Sequence, residues 1–116
     1  MTLEGRIVGV RMSKSSKVEY VFQPERIVEV LPKEKFPPQF MIKRDEDKRY
    51  PLLWFDSPFM AKGNVNVSEA FSLGYLLVER KDLVRIGCQK MEESSKGGFN
   101  VEVDLISIGY GFQAEA

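Results

Sequence analysis

Residues 83–108 read LVRIGCQKMEESSKGGFNVEVDLISI, and this stretch decides the fold. Apolar and polar side chains alternate on both sides of a polar centre, and a period of two is typical of a half-buried β-strand. The pattern predicts strands at 83–91 and 99–108, joined by a hairpin tip at 92–98. Apolar residues change face near the end of the second strand, which predicts a bulge there or a strand end buried on both faces.

Most of the remaining chain has the same short period. Residues 3–12 predict a strand that is bent or bulged at Gly5 and Gly9. Pro24 predicts a break between two shorter strands, because proline has no N–H to donate to a sheet. The further predicted strands are 18–22, 26–31, 39–44, 49–55 and 75–79, with a proline-rich loop at 32–38 and a charged turn at 45–48.

One segment, residues 67–74, has helical character, with Ser68 as a candidate N-cap and Gly74 as a candidate end. Many short strands bent at glycines, with a short helix before the final hairpin, are more typical of a small barrel than of a sandwich. Closing the sheet also removes the unpaired edges that it would otherwise expose. We therefore predict an all-β fold with one short helix, a small closed or nearly closed β-barrel, with residues 1–116 as a single domain.

The composition excludes most familiar catalytic and metal sites. The 116 residues include 17 basic and 17 acidic side chains, no histidine and one cysteine. The lack of histidine excludes Ser-His-Asp and Cys-His catalysis and histidine-containing zinc sites. One cysteine allows neither an all-cysteine zinc site nor a disulfide within the chain, and Cys88 is predicted to be a buried core residue because it lies in an apolar alternating run. We predict no catalytic residue, no metal ligand and no cofactor, and therefore no enzyme.

The sequence also bears on the compartment. No stretch approaches the roughly 18 consecutive apolar residues of a membrane span. The first residues, MTLEGR, lack the apolar core of a signal peptide. We expect a cytoplasmic protein without a membrane partner.

Aromatic and basic side chains occur together between residues 36 and 59, and a second basic group lies in the first predicted hairpin. Non-specific single-strand binders combine cations with aromatic faces in this way. The predicted phosphate contacts are Arg6, Arg11, Lys43, Arg44, Lys48 and Arg49, and the predicted stacking faces are Phe40, Tyr50, Trp54 and Phe59. Alternation along 49–55 leaves open which aromatic side chains belong to the core. The acidic run 45–47 is flanked by these basic residues, so it is predicted to be a solvated hairpin end rather than a metal site.

Two segments carry glycine-containing strand motifs: residues 81–87, KDLVRIG, and residues 3–9, LEGRIVG. The first is similar to the strand K-G-D/S-x-V-x-I-x-G-x-L of bacterial single-stranded DNA-binding proteins, without its first glycine. The second resembles the opening strand of that family, x-x-G-R-L-x-x. The resemblance implies that the barrel is a small OB-like (oligonucleotide/oligosaccharide-binding) β-barrel and that it binds single-stranded DNA, although residues 32–60 do not follow the family pattern.

The leading functional hypothesis is non-sequence-specific, non-catalytic binding of single-stranded DNA or RNA. The alternative is a β-barrel assembly or adaptor protein, such as a viral or mobile-element structural component, which would dock through the segment Phe36-Pro37-Pro38-Gln39-Phe40. A third hypothesis, an enzyme that uses carboxylates alone, requires two acids that converge in a pocket. A homo-oligomer is compatible with either of the first two.

Overall fold

The computed structural model describes residues 1–13, 15–30, 37, 39–40, 49–61 and 65–108. Its elements are β1 (Thr2–Met12), β2 (Val18–Glu29), β3 (Leu53–Asp56), α1 (Pro58–Ala61), α2 (Val67–Arg80), β4 (Val84–Glu93) and β5 (Phe99–Ile108). The strands form a closed barrel in the order β1-β2-β3-β5-β4. Strands β3 and β5 are parallel, and β1 pairs with β4 to close the barrel. The predicted all-β fold, a small OB-like barrel, is confirmed.

The long β1–β2 pair contains the irregularities that the glycines predict. The register shifts between Glu4 and Gly5 and between Ile7 and Gly9. Pro24 pairs with Gly5 at one of these shifts. Because a bulge tolerates a residue without an N–H, β2 continues through Pro24. The prediction of two separate strands, 18–22 and 26–31, is therefore wrong.

Helix α2 is longer than predicted, and the predicted strand 75–79 is part of it. Asn66 is the N-cap rather than Ser68, and its side chain accepts a hydrogen bond from the Glu69 N–H at 2.9 Å. Gly74 does not end the helix. A Cβ there would lie 2.6 Å from both Val10 Cγ2 and Tyr20 Cε1, so the glycine lets α2 pack closely on β1 and β2. The helix ends instead at Lys81, whose N–H donates to the Leu77 carbonyl.

The middle of the chain also differs from its prediction. Of the strand predicted at 39–44, Gln39 and Phe40 are helical, and residues 41–44 lie outside the described residues. The strand predicted at 49–55 begins only at Leu53. The final hairpin is confirmed. The register shifts between Gly87 and Cys88, whose partners on β5 are Leu105 and Val103, so the irregularity lies near the predicted change of face in the second strand.

Large apolar side chains fill the barrel. The largest that are fully buried are Tyr20, Phe22, Phe40, Phe99, Leu3, Ile7, Leu53 and Ile86. Burying each such side chain stabilises the fold by roughly 1.5–3 kcal/mol. The Tyr20 hydroxyl donates to the Ala70 carbonyl at 2.6 Å and so ties α2 to the barrel. Cys88 is buried, as predicted.

None of the helices in the described ranges has the length and hydropathy needed to cross a membrane; α2, the longest of them, has 14 residues.

Candidate functional site

Trp54 lies on the outer face of the barrel. Its neighbours on β3, Leu53 and Phe55, point into the core with exposures of 0% and 2%, so the alternation of the strand turns Trp54 outward. The indole Nε1 donates to the carbonyl of Gly97 at 3.0 Å. This hydrogen bond holds the ring beside the β4–β5 loop.

Two cations lie against the indole. The Arg11 guanidinium carbon is 5.4 Å from the ring centroid, and the Lys96 ammonium nitrogen is 5.1 Å from it. Both distances are within the range of a cation–π interaction. Arg11 comes from the end of β1 and Lys96 from the β4–β5 loop, so three separate parts of the chain meet at Trp54.

Glu19 on β2 neutralises part of this positive charge. Its Oε1 atom is 3.4 Å from Arg11 Nε and 3.0 Å from Lys96 Nζ, and its side chain is only 14% exposed. Arg11, Glu19, Trp54, Lys96 and Asn100, which pairs with Trp54 across β3 and β5, are here named the Trp54 surface. Two cations against one carboxylate leave an excess of positive charge.

A groove crosses the Trp54 surface. Its volume is about 320 Å³, at the lower end of the range of small-ligand sites. Its lining is formed by Glu19, Trp54, Phe55, Asp56, Lys96, Asn100 and Val101. Asp56 at its rim is 3.9 Å from Lys17 Nζ. The groove therefore combines an aromatic wall with charged and amide side chains.

Of the predicted site residues, the structure brings Arg11 and Trp54 together. Arg6 is used elsewhere: it forms an ion pair with Glu25, and its Nε donates to the Lys81 carbonyl at 3.1 Å. Phe59 is partly buried against the core, with its ring centroid 6.3 Å from that of Tyr20. Arg49 is exposed. The other predicted basic residues, Lys43, Arg44 and Lys48, lie outside the described residues.

The structure corrects the prediction for two aromatic residues. Phe40 and Tyr50, predicted as stacking faces for bases, are 0% and 8% exposed. Their rings stack on each other with centroids 5.0 Å apart and an interplanar angle of 20°. Phe40 also meets Phe99 edge-on at 5.8 Å. These rings are core residues because their faces are already covered by other rings.

Sequence reasoning missed Glu19, Lys96 and Asn100. A signal for Lys96 existed, because OB barrels bring the loops between strands 1–2 and 4–5 to the face of strands 2 and 3. The predicted hairpin tip at 92–98 contains Lys96 and so could have been placed next to β3. No comparable signal marks Glu19 or Asn100.

A second charged cluster lies where β1 meets β2 and β4. Glu4, which is 8% exposed, accepts from Arg26 Nε at 2.8 Å and from Arg85 Nε at 2.9 Å. The hydrogen bond from Arg26 lowers the pKa of Glu4 most; burial opposes this shift, and Arg85 adds to it. The cluster joins strands and has the character of a structural ion pair. Within the described part of the chain, no group of three or more acidic or cysteine side chains is arranged to hold a metal ion.

Comparison of the chain with protein-family models, curated proteins and solved structures found no significant match.

Proposed function

We propose that this protein binds single-stranded nucleic acid without sequence specificity, through the Trp54 surface and without catalysis. The observation that carries the proposal is the pair of cations on one outward-facing indole, Arg11 at 5.4 Å and Lys96 at 5.1 Å. Proteins that bind single strands combine cations that follow the phosphates with aromatic faces on which bases stack. Both parts of that combination meet at Trp54.

The place of the site in the barrel supports the proposal. OB barrels bind oligonucleotides on the face of strands 2 and 3, between the loops that join strands 1–2 and 4–5. Trp54 lies on β3, Arg11 lies next to the first of these loops, and Lys96 lies in the second. The fold thus presents these side chains where a strand of nucleic acid binds other barrels of this kind.

The distribution of acidic side chains indicates on which side of Trp54 the nucleic-acid strand would lie. The net charge of the chain is zero, so binding depends on a local excess of cations. Glu102 and Asp104 are exposed on β5 and would repel phosphates. We place the strand across β1, β2 and β3, with one base on Trp54 and its phosphates near Arg11 and Lys96.

Fluorescence anisotropy of a labelled oligo-dT at two salt concentrations tests the proposal. We expect Trp54→Ala to weaken binding by about fivefold or more, because stacking contributes roughly 1–3 kcal/mol per base. Trp54→Phe keeps an aromatic face and should lose less. Arg11→Gln and Lys96→Gln should each make the slope of log K against log salt shallower by about 0.7.

Arg80→Gln is the matched control for the charge variants. Arg80 lies at the end of α2 and pairs with Asp82 at 3.2 Å, so its removal changes the net charge equally but leaves the Trp54 surface intact. We expect it to change neither the affinity nor the salt slope. The proposal is contradicted if oligo-dT does not bind at micromolar protein in low salt, or if Trp54→Ala binds as tightly as the wild type.

The alternative, an assembly or adaptor barrel, stays a prediction. In its docking segment Phe40 is buried, Pro37 is half-buried and Gln39 is exposed, while Phe36 and Pro38 lie outside the described residues. Size-exclusion chromatography separates the two functions. An oligomer that is independent of concentration, with no shift on adding oligonucleotide, would favour the alternative.

A further inference from the structure

We infer that Glu19 is an internal counter-ion that a phosphate must displace, and that it sets both the affinity and the ligand selectivity of the Trp54 surface. The inference rests on the proposed function, because it concerns how nucleic acid gains access to that same site.

The geometry places one carboxylate oxygen between the two cations of the site. Glu19 Oε1 lies 3.4 Å from Arg11 Nε and 3.0 Å from Lys96 Nζ. The same two cations lie over the Trp54 ring. In the free protein, Glu19 thus holds both cations against the surface on which a base would stack.

A bound strand competes with Glu19 for these donors. A phosphate that contacts Arg11 or Lys96 takes the place of the Glu19 carboxylate as counter-ion. The phosphate and the carboxylate repel each other when both lie beside the same cation. A polyanion can replace Glu19 at both cations. An uncharged nucleoside supplies no counter-ion. If its base moves Arg11 and Lys96 off the Trp54 ring, nothing replaces the interactions that these cations lose. The site therefore selects phosphodiester strands over neutral aromatic ligands.

Glu19 also has an unfavourable neighbour, Asp56, which offsets part of the stability that its two ion pairs provide. On β2 it lies between Arg11 on β1 and Asp56 on β3 in the strand register. Like charges directly opposite each other on neighbouring strands destabilise a sheet. Replacing Glu19 with glutamine keeps its shape and removes the repulsion from Asp56, so the Glu19→Gln protein is expected to fold.

The experiment compares oligo-dT binding to the wild type and to Glu19→Gln by anisotropy at several salt concentrations. We expect Glu19→Gln to bind about fivefold more tightly, as follows from the loss of two partly exposed ion pairs. Its salt slope should be steeper by about 0.7, because no freed carboxylate takes up a cation on binding. Glu79→Gln, an exposed position on α2, changes the net charge equally and should have no effect.

The same comparison in a protein that carries Lys96→Gln distinguishes displacement of Glu19 by phosphate from general repulsion of phosphate by Glu19. With Lys96→Gln already present, Glu19→Gln should give a smaller gain, because only Arg11 is left to be released. An undiminished gain would mean that Glu19 merely repels phosphates, and would overturn the inference. Equal binding by the wild type and Glu19→Gln, with matching melting temperatures, would overturn it while leaving the proposed function intact. Failure of both proteins to bind would instead overturn the proposed function. If Glu19→Gln has a lower melting temperature than the wild type, the comparison is repeated with Glu19→Ala.

Discussion

Glu4 joins three strands through its two carboxylate oxygens. Arg26 on β2 and Arg85 on β4 donate to it from either side of β1. The pKa of Glu4 is lowered, chiefly by the hydrogen bond from Arg26. A carboxyl whose folded pKa lies below its unfolded value of about 4.3 stabilises the fold above that pH, and the contribution is lost as the pH falls through the folded pKa.

Glu4→Gln should therefore destabilise the protein at neutral pH more than in acid. We expect the free energy of unfolding at pH 7 to fall by roughly 1.5–3 kcal/mol, the range for hydrogen bonds to charged groups. Urea unfolding at pH 7 and in acid below about pH 4 measures the change. Glu92→Gln, whose exposed pair with Lys90 spans 3.3 Å, is the control and should cost about 1 kcal/mol or less at both pH values. A difference between Glu4→Gln and the wild type that does not shrink in acid would argue against this role of Glu4.

At Gly74, the substitution to alanine has two opposing effects: it raises the helix propensity and it disturbs the packing of α2 on the barrel. In an exposed helix Gly→Ala stabilises by about 1 kcal/mol. At Gly74 the new Cβ would lie 2.6 Å from Tyr20 and Val10, and Tyr20 cannot yield easily because it is fully buried and bonded to Ala70. We expect Gly74→Ala to destabilise by roughly 1–3 kcal/mol, the cost of overpacking.

Thermal and urea unfolding of Gly74→Ala and Ser72→Ala check this expectation. Ser72 is exposed on the same helix, so its replacement should be neutral or slightly stabilising. Stabilisation by Gly74→Ala would show that α2 does not pack on the barrel as described.

The β4–β5 loop, as an element, positions Lys96 and the acceptor for Trp54. Gly97 and Gly98 both have positive φ, 87° and 68°. A Cβ at Gly97 would meet nothing within 4 Å, whereas one at Gly98 would lie 2.2 Å from the Leu52 carbonyl oxygen. An alanine at Gly97 would therefore introduce backbone strain alone, whereas an alanine at Gly98 would add steric overlap to that strain.

Gly97→Ala should cost about 1 kcal/mol of stability, the strain of a left-handed alanine. Gly98→Ala should cost roughly 2–3 kcal/mol, because overlap with Leu52 is added to that strain. Urea unfolding of the two variants side by side gives the comparison. Equal losses, or a larger loss for Gly97→Ala, would mean that the loop does not close against Leu52.

How far sequence reasoning succeeds also depends on the element. The hairpin of β4 and β5 is predictable because a half-buried strand records its two faces in alternation. Residues 75–79 are apolar enough to suggest a strand, but in the structure they continue α2. Gly74 looks like a helix end in the sequence, whereas its role is close packing on β1 and β2, a tertiary feature that no local pattern shows. The sequence around Pro24 predicts a strand break for a similar reason, because only the pairing of Pro24 with Gly5 reveals the bulge that accommodates it. For the site, Arg11 and Trp54 could be predicted, whereas the burial of Phe40 and Tyr50 depends on rings distant in sequence.

At the scale of the whole molecule, pairing between strands distant in sequence assembles the Trp54 surface: Arg11 pairs with Glu19 across β1 and β2, and Trp54 pairs with Asn100 across β3 and β5. Pairing of β1 with β4, from Thr2 with Gly87 to Gly5 with Val84, completes the ring of strands. The Met1 carbonyl accepts from the Cys88 N–H at 2.7 Å and extends that seam. The β1–β2, β2–β3 and β3–β5 pairings bring the end of β1, the outer face of β3 and the β4–β5 loop together, and each contributes one of Arg11, Trp54 and Lys96. The proposed binding surface is therefore a property of the whole sheet and not of any single segment.

Intrinsic fluorescence tests the central claim most directly, because Trp54 is the only tryptophan in the sequence. Titration with unlabelled oligo-dT at low salt should quench or shift the Trp54 emission in a saturable way, as a base stacks on the indole, and added salt should reverse the change. Emission that stays constant while labelled oligo-dT binds would place the strand elsewhere on the molecule, and emission that stays constant because nothing binds would contradict the account as a whole.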